Sequence, residues 1–391
     1  MQKIGYNKGY MSKPVILTGI RANNDLTIGN YFGAILPTVD MAKTRSTEFE
    51  VNMFIPDLHS FTTPIDHKTL FESTLQNARV FAAAGLPLDN DAIHIYRQSY
   101  IPAHSELTVI LNNFTGFGEM SRMTQFKEKS GIQNISDVLD KRIGELEREV
   151  LRKEGLIAET VFLRKVLELR KLSDHVSVGL FDYPVLMASD ILLYGASYIP
   201  VGDDQSQHLE ITRDLAMRMN SKFGELFVVP EPVKDQHTFF GKDQGLRIKD
   251  LADPTKKVSK SDDTGKGVIF LSDSPETAAK KIMSATTDDL ASVRYDKAKQ
   301  PGISNLIDIL ALLRGSTPQE VATEYEGVSR YGDFKKIVAD EMAAFLRDFQ
   351  ERLSKIDDTI LIIKLESSEL AMNKIASRTL LDVQKAVGLR N

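Results

Sequence analysis

The sequence predicts an α/β fold: a doubly wound parallel sheet over residues 12–271, followed by a wholly α-helical part over residues 272–391. Two observations predict this arrangement. Short apolar runs rich in β-branched residues alternate with helical stretches at the start of the chain, and such alternation implies parallel strands joined by right-handed crossovers. From about residue 272 the strand signals cease and helical spacing takes over.

Three strand–helix units open the chain. Strands are predicted at 14–20, 51–57 and 92–99, and helices follow them at roughly 30–42, 67–85 and 103–113. A fourth unit has a buried helix at 183–195, a strand at 197–202 and a helix at 203–220 with Asp203 or Asp204 as N-cap. Ligands on such sheets bind beyond the carboxyl ends of the strands, so the residues after "VILTGI" and "FIPD" are expected to line a site.

Two further regions are helical by pattern. Residues 134–172 carry apolar positions at steps of 4, 3 and 4 among charges, which predicts two helices forming a hairpin arm inserted in the sheet domain. A solvated surface arm is favoured over an arm that contacts RNA or a partner, because a charge-laced helix is usually a solvated face. In the last third, helices are predicted to begin at Pro275, Ile303, Thr317, Tyr331 and Ser368.

Composition excludes several classes of protein. The net charge is −5 and 26% of residues are charged, as in an ordinary globular chain. The absence of cysteine excludes disulfides, thiolate metal sites and cysteine nucleophiles. We find no apolar run of about 18 residues and no apolar signal-peptide segment, and we expect a cytoplasmic protein. The P-loop, G-x-S-x-G and H-E-x-x-H motifs do not occur, and the seven histidines lack ligand spacing, so no structural metal is expected.

Two segments point to a nucleotide. In "TGIRANNDLTIGNYFGA" (18–34) a strand ends and a helix begins near Gly29, and a helix start favours an anion. Alone this is a weak pattern, and Gly29 serves packing equally well. The second segment, "DPTKKVSKSDDTGKG" (253–267), holds lysines among small residues, and its aspartates nearly cancel their charge. A loop that closes over one compact anion, such as nucleotide phosphates, suits it better than a general nucleic-acid surface.

Taken together, "LTIGN" and "KKVSKS" resemble the two ATP-binding motifs of class I aminoacyl-tRNA synthetases. The stretches 183–220, "RMTQFKEKS", "LADPTKKVSKSD" and "RYDKAKQPGISNL" are similar to those of the bacterial-type tryptophanyl family. The resemblance covers nearly the whole chain from Met11 except the arm. It implies a Rossmann-like catalytic domain and an anticodon-binding helical domain, acting on L-tryptophan, ATP and tRNA.

The resemblance also implies roles for individual residues. Lys257, Lys260 and Lys129 would be catalytic, neutralising the phosphates as pyrophosphate leaves. The ATP-binding set would be Arg21, Ala22, Asn23, Gly29, Asn30, Gly202, Asp203, Asp204, Ile248, Lys257, Val258, Ser259, Lys260 and Ser261, with Mg²⁺ held largely by phosphate oxygens. The tryptophan pocket would use Asp190 as acceptor for the indole N–H, with Met187, His59, Ile199 and Val201 around it. A homodimer is expected, and Lys335, Lys336, Arg347, Lys374 and Arg378 are candidates for tRNA phosphate contacts.

Some residues depart from the family pattern. "ANND" (22–25) replaces a Pro-x-Gly turn, Val258 replaces a methionine, and Leu17 stands where relatives often have an aromatic residue. A tyrosyl-specific relative remains an alternative, because an aspartate also accepts from a phenol. A non-catalytic paralogue that binds tryptophan or RNA is the second alternative, and a generic adenylyltransferase is a third. For Met187, Ile199 and Val201, plain core packing competes with a role in the pocket.

Overall fold

The computed structural model describes residues 13–20, 25–62, 65–130, 177–200, 202, 205–240, 248–256 and 265–391. The predicted arm (134–172) lies outside the described residues. So do eleven of the predicted site residues: Arg21, Ala22, Asn23, Val201, Asp203, Asp204, Lys257, Val258, Ser259, Lys260 and Ser261. Within the described residues, no helix has the length and apolar content needed to cross a lipid bilayer.

The described sheet has four parallel strands in the order β3-β2-β1-β4, which confirms the predicted α/β class. The strands are β1 (Val15–Gly19), β2 (Glu50–Ile55), β3 (Ile93–Arg97) and β4 (Ala196–Tyr198). The fourth strand is shorter than predicted. Pro200 has no N–H to donate to a neighbour, and the Ile199 N–H donates instead to Gln236 Oε1 at 2.9 Å.

Helices flank the sheet in the first two thirds of the chain. They are α1 (Ile28–Asn30), which continues through a π-helical turn (Tyr31–Ile35) into α2 (Leu36–Arg45), then α3 (Leu70–Ala83), α4 (Ala103–Asn112), α5 (Phe117–Ser121), α6 (Thr124–Ser130), α7 (Val178–Leu192), α8 (Ser206–Phe223) and α9 (Val233–Phe240). The predicted N-cap of α8 is wrong. The cap is Gln205, whose N–H donates to Gly202 O at 2.9 Å.

The last third is helical, as predicted. Its helices are α10 (Pro275–Met283), α11 (Pro301–Arg314), α12 (Pro318–Glu324), α13 (Tyr331–Ser354) and α14 (Asp358–Ala386). The start predicted for the last helix is ten residues too late. The Asp357 side chain caps α14 by accepting from Thr359 N at 2.8 Å, and buried Leu361 and Leu365 hold the β-branched first turns against the core.

Each face of the sheet has its own hydrophobic core. One face, with Ile16, Val51 and Met53, packs together with buried side chains of α10 to α13. The other face, with Leu17, Phe54 and Tyr96, packs with α4, α7, α8 and the second half of α14. Helices therefore cover both faces, as a doubly wound sheet requires. The core continues across residue 272, and the assignment of separate roles to the two parts stays a prediction.

Helix α14 covers the outer edge of β3. Ser368 Oγ accepts from Ile95 N at 3.3 Å, and Glu369 Oε1 accepts from Arg97 N at 3.2 Å. The Glu369 carboxylate also binds the Arg97 guanidinium, with Nε–Oε1 2.6 Å and Nη2–Oε2 2.8 Å, and the guanidinium stacks on Tyr100 at 3.4 Å. Because an open strand edge can pair with other chains, this cover protects the sheet.

Candidate active site

The carboxyl ends of β2 and β3 are hydrogen-bonded to each other. Asp57 Oδ1 accepts from Leu58 N at 3.0 Å and from Ser99 N at 2.9 Å. Gln98 Oε1 accepts from Leu58 N at 3.2 Å, so the amide nitrogen of Gln98 is directed the other way. These bonds hold the turns after both strands at the ligand-binding end of the sheet.

Asp190, in the last turn of α7, is the centre of a buried polar network beside these turns. Its side chain is 1% exposed. Oδ1 accepts from Gln98 Nε2 at 2.7 Å and faces His104 Nδ1 at 2.6 Å, while Oδ2 faces His59 Nε2 at 2.8 Å. The three partners come from β3, α4 and β2 or the turns that follow them, so strands and helices together position one carboxylate.

The carboxylate is ionised. Burial alone would raise the pKa of Asp190, but hydrogen bonds from His104 and His59 outweigh burial and lower it to about 2. Since a carboxylate only accepts, the histidine nitrogens that face it carry protons. His104 Nε2 lies 2.8 Å from the Tyr194 hydroxyl, and burial raises the pKa of that phenol well above its usual value. Tyr194 O–H therefore donates to His104 Nε2.

A second polar chain runs from the same pocket to α6 and α8. The ring of His59 meets Tyr183 edge-on, with centroids 6.2 Å apart. The Tyr183 hydroxyl lies 2.8 Å from Gln125 Oε1 and 2.9 Å from His208 Nε2. Gln125 belongs to α6, the helix that also carries Lys129. Tyr183 therefore contacts both His59 of the Asp190 network and the helix that is predicted to bind phosphate.

The turn before α1 lies against the segment that follows the lysine loop. Ile28 N donates to Ile269 O at 3.0 Å, Leu271 N donates to Leu26 O at 2.8 Å, and Thr27 forms an antiparallel bridge with Phe270. A small cleft lies here, lined by Thr27, Ile28, Gly29, Ile248, Lys249, Leu251, Gly267, Val268 and Ile269. Two segments more than 200 residues apart in sequence thus form one surface.

The two ends of the lysine loop are joined in a stem. Leu251 N donates to Gly267 O at 2.9 Å, and Asp250 N donates to Lys256 O at 3.2 Å. Asp250 Oδ1 also accepts from Ala252 N at 2.8 Å, which fixes the turn that starts the loop. The backbone of Gly267 lies so close that an added Cβ would meet Asp250 Oδ2 at 2.1 Å. Gly267, on the C-terminal side of the loop, lines the cleft together with Thr27 and Gly29.

The family follows from the sequence match. A family model described as "tRNA synthetases class I (W and Y)" matches residues 11–147 and 159–347. The chain belongs to this family. A tryptophan–tRNA ligase of Leifsonia xyli is 39% identical over 380 residues, which is 96% of this chain and 97% of that protein.

Solved structures of synthetases agree with the match. The tryptophanyl-tRNA synthetase of Mycoplasma pneumoniae is 29% identical with a TM-score of 0.72, covering 96% of this chain and 98% of that one. The Campylobacter jejuni enzyme, solved with ADP and tryptophan, is 26% identical with a TM-score of 0.67, covering 96% of this chain and all of that one. The Rossmann-like class I synthetase fold with a C-terminal helical part is thereby confirmed.

Of the predicted pocket residues of this synthetase, His59 and Asp190 are in direct contact. Met187 lies one turn before Asp190 on α7, half-buried against the core that contains Ile199. That packing accounts for both side chains without a ligand, so their role in the pocket stays a prediction. Gln98 and His104 were missed by the sequence reasoning, although they follow the third strand. Applying the rule on strand ends to β3, as to β1 and β2, directs attention to this segment but does not single out these two residues.

The described residues among the predicted ATP-binding set either line the cleft or form structural hydrogen bonds. Gly29 and Ile248 line the same cleft. Asn30 has a structural role: its Oδ1 accepts from Thr27 N and Oγ1, each at 3.1 Å, and its N–H donates back to Thr27 Oγ1 in a capping box. Gly202 accepts the N–H of Gln205 at the start of α8. Lys129 lies on α6, and its side chain is outside the described residues.

Proposed function

We propose that this synthetase is a tryptophan–tRNA ligase, which joins L-tryptophan to ATP as tryptophanyl-adenylate and transfers it to the 3′ end of its tRNA. The observation that carries the proposal is the buried, ionised Asp190 carboxylate at the ligand end of the sheet. An indole has one polar hydrogen, on its ring nitrogen, and one buried acceptor suffices to recognise it. The 39% identity to a tryptophan–tRNA ligase favours tryptophan over tyrosine.

Rejection of other amino acids follows from the same carboxylate. A site that accepts a substrate N–H rejects analogues lacking it by about 10⁴–10⁵, because the buried acceptor then loses its partner. Phenylalanine has no polar hydrogen on its ring and would be excluded in this way. Selectivity in binding alone would therefore suffice to discriminate tryptophan from phenylalanine.

Activation requires positioning and neutralisation of charge. The tryptophan carboxylate attacks the α-phosphorus of ATP, the bond to the pyrophosphate oxygen breaks, and negative charge grows on pyrophosphate. The role proposed for Lys257 and Lys260 is to stabilise that charge from the loop whose stem lies against the turn before α1. Mg²⁺ would be coordinated by the phosphate oxygens of ATP rather than by protein carboxylates. The described lining of the cleft at Gly29, which carries no carboxylate, fits this coordination.

A homodimer is supported by an exposed apolar patch on α4, α5 and α7. Val109, Phe117 and Val178 are 63, 76 and 80% exposed, and Phe117 packs on Phe181 with ring centroids 5.0 Å apart. Exposed apolar groups of this size, gathered on adjacent helices, favour an interface. Because tRNA and its charging belong to translation, we place the enzyme in the cytoplasm.

The helical part is proposed to bind the tRNA anticodon. Among the predicted phosphate contacts, Lys336, Arg347, Lys374 and Arg378 are exposed. Lys335 fits the role poorly, because its ammonium donates to Ala285 O at 2.6 Å and burial lowers its pKa. The salt dependence of tRNA binding should therefore change little in a Lys335→Ala variant.

Amino-acid-dependent ATP–pyrophosphate exchange tests the function. We expect exchange with tryptophan and not with tyrosine, and loss of exchange in Asp190→Ala and Lys260→Ala. The chain has no tryptophan, so a change in the ligand's indole fluorescence reports binding without background from protein tryptophan. Tryptophan binding without exchange would identify a non-catalytic paralogue. Exchange with tyrosine would identify a tyrosyl enzyme.

A further inference from the structure

The two oxygens of Asp190 are not equivalent. A carboxylate oxygen accepts about two hydrogen bonds. Among the described residues, Gln98 Nε2 and His104 Nδ1 both bind Oδ1, at 2.7 and 2.6 Å, whereas His59 Nε2 binds Oδ2 at 2.8 Å. Oδ1 is thus filled by protein donors, and Oδ2 keeps one lone pair. Oδ2 is also the oxygen beside His59, which follows β2 at the ligand end of the sheet.

We propose that His104 is a positioning residue for amino-acid recognition: with Gln98 it fills Oδ1 of Asp190, and so leaves Oδ2 to accept the indole N–H. This inference rests on the proposed tryptophan–tRNA ligase function and names the oxygen and the residue that orients it. His104 does not touch the substrate. It acts by fixing the rotation of the carboxylate and by keeping Oδ1 from competing for the indole.

The surroundings of His104 hold it in the required tautomer. Its imidazole is fully buried, with Nδ1 toward Asp190 and Nε2 2.8 Å from the Tyr194 hydroxyl. The Tyr194 O–H donates to Nε2, so the imidazole proton stays on Nδ1, where it binds the carboxylate.

Two substitutions of His104 give opposite expectations for positioning and for packing. In His104→Asn the amide nitrogen falls near the place of Nδ1 and can still donate to Asp190, but it leaves Tyr194 without its partner. In His104→Gln the amide falls near the place of Nε2, so it fills more of the volume and reaches Tyr194 but not Oδ1. A purely structural role predicts that glutamine is tolerated better. A positioning role predicts instead that the asparagine substitution is tolerated better than the glutamine substitution.

The assay compares tryptophan with β-(benzothien-3-yl)alanine, in which sulfur replaces the ring N–H. Pyrophosphate exchange gives kcat/KM for each, and their ratio measures indole N–H recognition independently of protein stability. In His104→Gln we expect the ratio to fall by about 10- to 100-fold, chiefly through a higher KM for tryptophan, because misplacement by about 1 Å costs up to 10²-fold. In His104→Asn it should stay within about threefold of the wild-type ratio.

The pH profile gives a second readout. The groups that face Asp190 are His59 after β2, Tyr96 and Gln98 at β3, His104 on α4 and Tyr194 after α7. Without the His104 donor, burial raises the pKa of Asp190. As the pH is lowered, activity toward tryptophan should therefore be lost at a higher pH in His104→Gln than in wild type or His104→Asn.

The outcomes separate this inference from the proposed function. If the wild-type enzyme uses both amino acids equally, Asp190 is not the indole acceptor and this inference fails, whereas exchange with tryptophan still supports the ligase function. Absence of exchange with tryptophan would refute the function itself. If the wild type discriminates and His104→Gln keeps the wild-type ratio and pH profile, only the positioning role fails. The same holds if glutamine preserves the ratio better than asparagine does.

Discussion

Glu369 on α14 should be among the most costly surface-helix residues to remove, because its carboxylate is the buried partner of Arg97. Both side chains of the pair are 7% exposed, and Glu369 accepts three hydrogen bonds from Arg97, one of them from the backbone N–H. In Glu369→Ala the guanidinium stays buried against Tyr100 without a counter-charge. Breaking a buried pair from one side costs about 3–5 kcal/mol of unfolding free energy.

Urea unfolding at pH 7, followed by far-ultraviolet circular dichroism, measures the cost. Glu369→Gln is the matched control, because its amide oxygen can still accept from the Arg97 backbone N–H; we expect it to cost roughly 1–3 kcal/mol. The double variant Arg97→Met with Glu369→Leu leaves no buried charge and should be more stable than Glu369→Ala. A cost below about 1 kcal/mol for Glu369→Ala would refute the reasoning.

Three further predictions concern the loop stem, the pocket carboxylate and the proposed interface. Gly267→Ala should lower pyrophosphate exchange at least about tenfold with the fold retained, because its Cβ would fall 2.1 Å from Asp250 Oδ2 and the stem must shift. The pKa of Asp190 is about 2 in the folded chain, below its unfolded value, so its contribution of about 2 kcal/mol should be present above about pH 4 and lost as the pH falls toward 2, measured by urea midpoints. Phe117→Asp should yield a monomer in sedimentation equilibrium, because a charge in an apolar interface is costly.

Each of these predictions has a control and a contradicting result. Gly332→Ala meets no atom within 4 Å and should leave exchange unchanged; equal activity of Gly267→Ala and wild type would sink the stem argument. Asp190→Asn should lack the acid-dependent loss between pH 4 and 2, and an identical slope in both proteins would assign that loss to other groups. Leu290→Asp, at another exposed apolar position, should not change the oligomeric state, and a dimeric Phe117→Asp protein would exclude the patch.

The sheet was predictable because strand periodicity and crossover rules act locally. The strands at 14–20, 51–57 and 92–99 were found with errors of one to two residues at each end, because the turns after β2 and β3 coil tightly rather than extend. The start of α14 was missed for the opposite reason. Its first turns are β-branched and disfavour a helix locally, and burial of Leu361 and Leu365 overrides that preference.

The pocket was predictable only in part. Asp190 and His59 could be found by resemblance, and the structure adds that they touch. Gln98 and His104 could not be ranked from sequence, because their role depends on how α4 and α7 pack across β3. Asn30 forms a capping box with Thr27, which the sequence did not predict, and its contact with ATP stays a prediction.

The cover on β3 has a consequence for synthesis of the chain on the ribosome. The Arg97 guanidinium and backbone N–H gain their partner only when Glu369, 272 residues later in the sequence, has been synthesised. At a synthesis rate of about 5–20 residues per second, this delay is roughly 15–55 s. During that time the outer edge of β3 is unpaired and can bind other nascent chains on the same polysome. Completion of this sheet edge is therefore tied to α14, and nascent chains stalled before Glu369 are the species that still expose it.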